Sequence, residues 1–285
     1  MAVTWLLAGL LAAVAVAWVV WWLLIETEGA YLGQRAVTWL YDRFATRYDS
    51  IKAYNPTHEY LYVSSPIMNA ARPHTNMLML DIATGTARLP LAMLAHGKFN
   101  GHILAVDISR KMLQQAAYKL ADDMAHVDLL HSPANCLPFP DETFDVVTFL
   151  EALEFVDDPE AALREAIRVL RPGGLLLTTL RISIKTMPGK VWSQEKMQHT
   201  LESLNVRRVY FEPWQEEYTK AWARKEGPST HIGAKPLESV LRCSNCGEVA
   251  YSYHVPHFVC GNCDYRIAVG EDGVLEVKKA QVRNC

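Results

Sequence analysis

Met77-Leu-Met-Leu-Asp-Ile-Ala-Thr-Gly-Thr-Ala87 is the stretch whose reading decides the fold. An apolar run, Met77 to Leu80, ends in Asp81 and breaks into a loop of small residues, Ala83 to Ala87. A helix-like segment, Arg88 to His96, follows. An apolar run, a tight turn and a helix start describe a buried parallel strand whose following loop lets backbone N–H groups approach a ligand. A nicotinamide-type Gly-x-Gly-x-x-Gly would want glycine where this chain has Ala83 and Arg88, so an oxidoreductase reading starts behind.

Outward from this stretch, Gly101 to Val106 reads as a second strand ending in Asp107. A carboxylate there suits a ribose, because it can accept from both vicinal hydroxyls. Then come Leu137-Pro138-Phe139, Phe144-Asp145-Val146-Val147 and Arg168-Val169-Leu170-Arg171-Pro172-Gly173-Gly174. With these motifs in this order, the chain resembles class I S-adenosylmethionine-dependent methyltransferases, especially the branch that includes the ubiquinone/menaquinone-type enzymes, over Tyr41 to Glu226. The resemblance implies an α/β fold: a Rossmann-like, mostly parallel sheet with an antiparallel C-terminal hairpin.

It also implies a set of donor-binding residues. Asp81 and the backbone of Ala83, Thr84, Gly85 and Thr86 would hold the methionine part, and Asp107 the ribose. Ile108 and Met112 would flank the adenine, Ala134 and Asn135 would meet its edge, and Leu150 belongs to the same donor-binding set. Phe44-Ala45-Thr46-Arg47-Tyr48-Asp49 is similar to the element that lids the donor in this family, which gives Tyr48 a donor-side role. Relatives often carry aspartate where this chain has Pro133, and glycine where it has Ala87. Glu151 and Glu154, just beyond the fourth strand, are the candidates for proton transfer, since sites lie past the carboxyl ends of parallel strands. The quinone-type enzymes have an arginine in the element where this chain has Ala152-Leu153-Glu154-Phe155, a reversal of charge that argues against that particular substrate.

The chain has 285 residues, half of them hydrophobic, which is enough for one full-sized domain and a small one. Its net charge of −3 gives no sign of a nucleic-acid partner. Val3 to Ile25 contains no charge, and its 23 residues span roughly 34 Å as a helix, enough to cross a bilayer core of about 30 Å. Trp18, Trp21 and Trp22 gather at its end, as at a membrane interface. Arg35, Arg43, Arg47 and Lys52 follow the span and no Lys or Arg precedes it, which favours a single-pass anchor with the body on the cytoplasmic side.

Alternating patterns predict helices over Gln34–Tyr48, Arg110–Asp123 and Glu195–Leu204, and strands over Val127–His131, Phe144–Leu150, Leu175–Leu180, Val206–Phe211 and Tyr218–Arg224. Tyr54 to Arg72, with Pro56 and Pro66, stays an unassigned connector. Near the C-terminus, Cys243-x2-Cys246 and Cys260-x2-Cys263 have the spacing of a zinc ribbon: four thiolates for a structural Zn2+, with Gly247 and Gly261-Asn262 making the turns. The inferred cytoplasmic side disfavours two disulfides, and Cys136 and Cys285 read as unpaired thiols. The resulting division is an anchor at 1–28, a methyltransferase domain at 29–227, a linker at 228–240 and a ribbon at 241–285.

The expected protein is thus a membrane-anchored enzyme that moves a methyl group from S-adenosylmethionine to an acceptor. The anchor suggests a lipid-soluble small molecule such as a quinone precursor or phospholipid, and the ribbon offers a surface for a protein partner. The alternative is a catalytically weak methyltransferase-like subunit serving as a membrane-tethered adaptor, which would not need to retain donor binding.

Overall fold

The computed structural model describes residues 1–182, 187–228 and 230–277. Five parallel strands form its centre: β1 (Leu78–Ile82), β2 (His102–Asp107), β3 (Val127–His131), β4 (Phe144–Phe149) and β5 (Leu170–Arg181). Every residue of β1 and β4 is buried, because helices cover both faces of a parallel sheet. Alternation decides which face each residue serves. Leu78, Leu80 and Ile82 enter one core cluster, while Met77 and Met79 enter the other.

An antiparallel hairpin, β6 (Val206–Pro213) and β7 (Tyr218–Lys225), extends the sheet beyond β5. At the opposite end lie β8 (Tyr251–His254), β9 (His257–Cys260), β10 (Arg266–Val269) and β11 (Leu275–Glu276). β11 lies parallel to β3 through Leu275 opposite Leu130, so the cysteine-rich unit joins the same 11-stranded sheet, ordered β6-β7-β5-β4-β1-β2-β3-β11-β10-β9-β8. The chain leaves β1 toward β2 and β3, then returns to β4 and β5 on the other side. That reversal opens a crevice at the carboxyl ends of β1, β2 and β4.

The helices are α1 (Ala2–Trp21), α2 (Gln34–Phe44), α3 (Tyr48–Ile51), α4 (Pro56–Glu59), α5 (Ser65–Ala70), α6 (Arg88–Leu94), α7 (Arg110–Lys119), α8 (Pro159–Val169) and α9 (Gln194–Ser203). A π-helical turn, Trp22–Glu26, continues α1. Residues Ala2–Glu26 are long and apolar enough to cross a membrane, and no residue of α1 is buried against the body. Ser109 caps α7 by accepting from the Met112 N–H at 3.2 Å, and Asp158 caps α8 ahead of Pro159.

Four expectations need correction. The connector Tyr54–Arg72 is largely helical, because Asn55 caps α4 and both Pro56 and Pro66 sit in first helical turns, where the missing N–H costs nothing. The fifth strand begins at Leu170 rather than Leu175: it pairs with Phe144, bulges over Arg171–Gly174, and resumes at Leu175. α7 stops at Lys119, short of Asp123. Cys136 is disulfide-bonded rather than an unpaired thiol, and Cys285 lies outside the described residues.

Candidate functional site

A cleft open to solvent occupies the crevice. Of the residues expected to bind the donor, Tyr48, Ala83, Gly85, Asp107, Ile108, Ala134 and Leu150 line it, as does Glu151. Asp81, Thr84, Thr86, Met112 and Asn135 do not; Met112 is fully buried beneath, and Asp81 sits inside the strand with its carboxylate accepting from the Thr148 hydroxyl at 2.7 Å.

The loop after β1 is built around left-handed backbone. Ala83, Gly85 and Ala87 have φ of +57°, +56° and +65°. At the two alanines the chain adopts a shape that costs an L-residue about 1–2 kcal/mol each, strain of the kind held at ligand-binding loops. Its tie to β2 is the Thr84 N–H donating to the Val106 carbonyl at 3.0 Å.

Asp107 braces the same loop. Its Oδ2 accepts from the Gly85 N–H at 2.8 Å and its Oδ1 from the Ser109 N–H at 2.7 Å. Each oxygen keeps a lone pair free for a further donor. Burial raises the carboxyl's pKa, and the two backbone N–H groups offset that only in part. Burial likewise pushes Asp81 up to about 7, against the stabilising hydroxyls of Thr84 and Thr148.

The two glutamates expected to move protons are separated. Glu151 faces the cleft with φ +50°, receives Arg88 at 2.8 Å and the Gln215 amide at 3.1 Å, and shares Arg88 with Glu59. Glu154 lies in a different recess with Arg181, its carboxylate accepting from the Tyr218 hydroxyl at 2.5 Å. Burial there raises its pKa.

Sequence reasoning missed one whole wall, formed by Gln34, Val37, Thr38 and Tyr41 of α2. Their i, i+3, i+4, i+7 spacing was the available signal, running on to Tyr48. Asp42, on the same helix, locks α2 to the start of α7 by accepting from the Ser109 hydroxyl at 2.6 Å and the Lys111 N–H at 3.1 Å. Val106, Ser109, Ser132, Phe149, Ala152, Phe155 and Val156 complete the lining.

The four C-terminal cysteines converge, with all Sγ atoms within 4.8 Å of one another. Cys243 and Cys263 are 3.6 Å apart, and Cys246 and Cys260 3.7 Å. A tetrahedron with Zn–S bonds of about 2.3 Å has edges of roughly 3.8 Å, so the cluster can hold a zinc ion. In both knuckles the residue four after the first cysteine turns left-handed and donates its N–H back to that cysteine's carbonyl: Gly247 to Cys243 and Asp264 to Cys260. The second knuckle therefore turns on Asp264 rather than on Gly261-Asn262. This unit grips the cleft's edge from outside. Arg110 meets Asp272 with both terminal nitrogens at 2.8 Å and Glu276 at 2.5 Å, while His131 bridges Glu276 at 2.9 Å and the Ile108 carbonyl at 3.0 Å.

Comparison with known proteins agrees with this geometry. Residues 80–178 match the family described as "Methyltransferase domain". The chain is 28% identical over 216 residues to a demethylmenaquinone methyltransferase of Listeria welshimeri, covering 75% of this chain and 89% of that protein. It is 31% identical over 156 residues to the demethylmenaquinone methyltransferase of Listeria monocytogenes serotype 4a, covering 54% of this chain and 65% of the relative, just under two thirds of its length. The fold is similar to a Methanococcus maripaludis protein assigned as an S-adenosyl-L-methionine-dependent methyltransferase, with a TM-score of 0.54 and 20% identity over 66% of this chain and 94% of that one.

Proposed function

The chain carries a class I S-adenosylmethionine-dependent methyltransferase domain, and from that premise we propose that it methylates a lipid-soluble small molecule from a membrane-bound position. The observation that carries this reading is the unburied apolar helix, Ala2–Glu26, set just ahead of the helix that walls the donor cleft. Arg35, Arg43, Arg47 and Lys52 after the span support a cytoplasmic body, and the disulfide at Cys136 weighs against it. The names of the Listeria relatives support a quinone-type acceptor, and Glu154 in place of an arginine weighs against that exact molecule.

In this reading Asp107 uses its remaining lone pairs for the ribose hydroxyls, and Ile108, Ala134 and Leu150 enclose the adenine. The backbone from Ala83 to Thr86 receives the methionine part, with Asp81 behind it, Met112 and Asn135 support the adenine wall, and Tyr48 covers the donor. Glu151 faces the cleft and is the base of choice, whereas Glu154 is engaged elsewhere. The transfer itself is an in-line displacement from a sulfonium, so holding donor and nucleophile in register supplies much of the acceleration. The four cysteines hold a structural zinc. Membranes containing the full chain, incubated with methyl-labelled S-adenosylmethionine, should carry label into the solvent-extracted lipid fraction. Label confined to soluble macromolecules would overturn the lipid-acceptor reading.

A further inference from the structure

A second cleft, of about 660 Å³, lies at the foot of the apolar helix. Its apolar walls are Leu24, Ile25, Leu40, Phe44 and Ile51. Ile25 and Ile51 are 53% and 60% exposed, so nothing in the described chain covers them, and apolar surface gathered in a concave site marks a place where something apolar binds. Tyr41 and Tyr48 line this cleft and the donor cleft alike, their rings 5.8 Å apart. A two-tyrosine partition is therefore the boundary between the two spaces.

One half of that partition, Tyr41, is tied down. The Tyr41 hydroxyl donates to Glu28 at 2.7 Å, and Lys52 pairs with the other oxygen of the same carboxylate at 3.0 Å. Glu28 thus ties the segment below the span to α2 and to the end of α3. With its charge and hydrogen bonds satisfied within the chain, this polar end does not compete for a ligand, and the apolar walls define what the cleft accepts. Leu24 and Ile25 belong to the continuation of the span, so a molecule leaving a bilayer along that helix reaches this cleft first.

We infer that the second cleft is the tail subsite of the acceptor, holding the hydrocarbon chain of a single-chain amphiphile whose small polar head passes the Tyr41–Tyr48 partition into the donor cleft. The inference rests on the lipid-acceptor reading and adds to it a place, a gate and a shape. It requires an acceptor with one extended apolar chain, because α2 closes one side and the span the other.

The test uses the full-length protein in phosphatidylcholine nanodiscs with a 4-dodecylphenol probe carrying a photoreactive diazirine in mid-chain. Crosslinks should appear on the peptide containing Leu40, Phe44 and Ile51 as well as on α1. Ile51→Asp places a charge in the apolar cleft and should cut labelling of that peptide by about tenfold, with α1 labelling and S-adenosylmethionine affinity unchanged. Ile51→Trp, which fills the space without charge, should do the same and separates occlusion from misfolding. Methylation of the lipid fraction should fall in step. Crosslinks on α1 alone would overturn the inference, and so would variants that lose the crosslink yet methylate lipid at the parental rate. The lipid-acceptor reading has its own readout, since methylation of the lipid fraction by the parent protein would stand even with the subsite misplaced.

Discussion

The two ends of the parallel strands treat their buried carboxylates in opposite ways. At the amino end, Asp145 accepts from the N–H groups of Leu78, Ile232 and Gly233 and from the Arg171 guanidinium. Burial alone would raise its pKa, yet these donors outweigh it and hold the carboxyl below its ordinary range. At the carboxyl end, Asp81 has hydroxyls for company and Asp107 has two N–H groups, and burial wins at both. A fully paired carboxylate locks structure, whereas an underpaired one is poised to meet a ligand. The lower end therefore clamps the chain, including the segment that leads to the ribbon, and the upper end is left electrostatically unfinished.

The largest expected effect comes from the metal, because so small a cysteine-rich unit has little core of its own. Structural zinc contributes on the order of 10 kcal/mol or more to the folding of small cysteine-rich units. Replacing Cys260 with serine, or chelating the metal, should drive hydrogen exchange in 251–277 toward the unfolded rate. It should also loosen 107–110, which Arg110 and His131 hold, while 145–147 stays protected. Exchange unchanged after metal loss would mean that Phe258, Ile267 and Leu275 suffice as a core. Second in size is Asp145→Ala. Removing one partner of a buried ion pair costs about 3–5 kcal/mol, so thermal unfolding should drop sharply while donor affinity holds. The sign with pH follows from the lowered pKa: this stabilisation is complete above the ordinary carboxylate value of about 4 and is lost as acid protonates the folded-state group.

The contrast between the ends was only half legible in the sequence. Asp81 and Asp107 announced themselves by closing apolar runs, since a strand end followed by small residues is a local pattern. Asp145 stood at the start of the predicted fourth strand, but two of its partners, Ile232 and Gly233, lie far along the chain, where no periodicity points to them. The α2 wall was hidden for another reason: its stripe serves packing and cleft at once, and spacing cannot separate the two. The segment with prolines at 56 and 66 stayed unassigned although both residues start helices, which depends on the Asn55 cap and the local turn. The cysteine spacing was fully legible as a metal site, yet the single pair Leu275–Leu130 that joins the ribbon to the sheet leaves no sequence signature.

Asp81→Asn sharpens the contrast through pH. The folded group titrates near 7 and the unfolded one near 4, so between these values the native state keeps a proton that the unfolded state has released. Stability then falls as pH rises through that window, by at most about 1.4 kcal/mol per pH unit, and is level above it. Asparagine does not titrate, so the difference in unfolding temperature between parent and variant should shift between pH 5.5 and 7.5, in the variant's favour at the higher value. A difference independent of pH would place Asp81 with the fully paired carboxylates below.

Asp107→Ala is the substitution that can break the comparison outright. If the upper end is left unfinished for a ligand, removing this carboxylate should weaken S-adenosylmethionine binding by roughly 10- to 150-fold, or 1.5–3 kcal/mol, the worth of hydrogen bonds to a charged acceptor. Calorimetry on the full chain reads this directly. The Gly85 and Ser109 N–H groups also lose their acceptor, so part of any loss could come from the loop. Asp107→Asn separates the terms: its carbonyl oxygen can still accept one N–H, while its amide group offers a donor where the ribose needs an acceptor. Affinity that stays low in the asparagine variant, with the loop's hydrogen exchange near parental, identifies the missing ribose bonds. If both variants bound the donor as tightly as the parent, Asp107 would be a brace for the Gly85 turn and nothing more. The two ends of the sheet would then differ in how well their carboxylates are paired, without that difference serving the ligand.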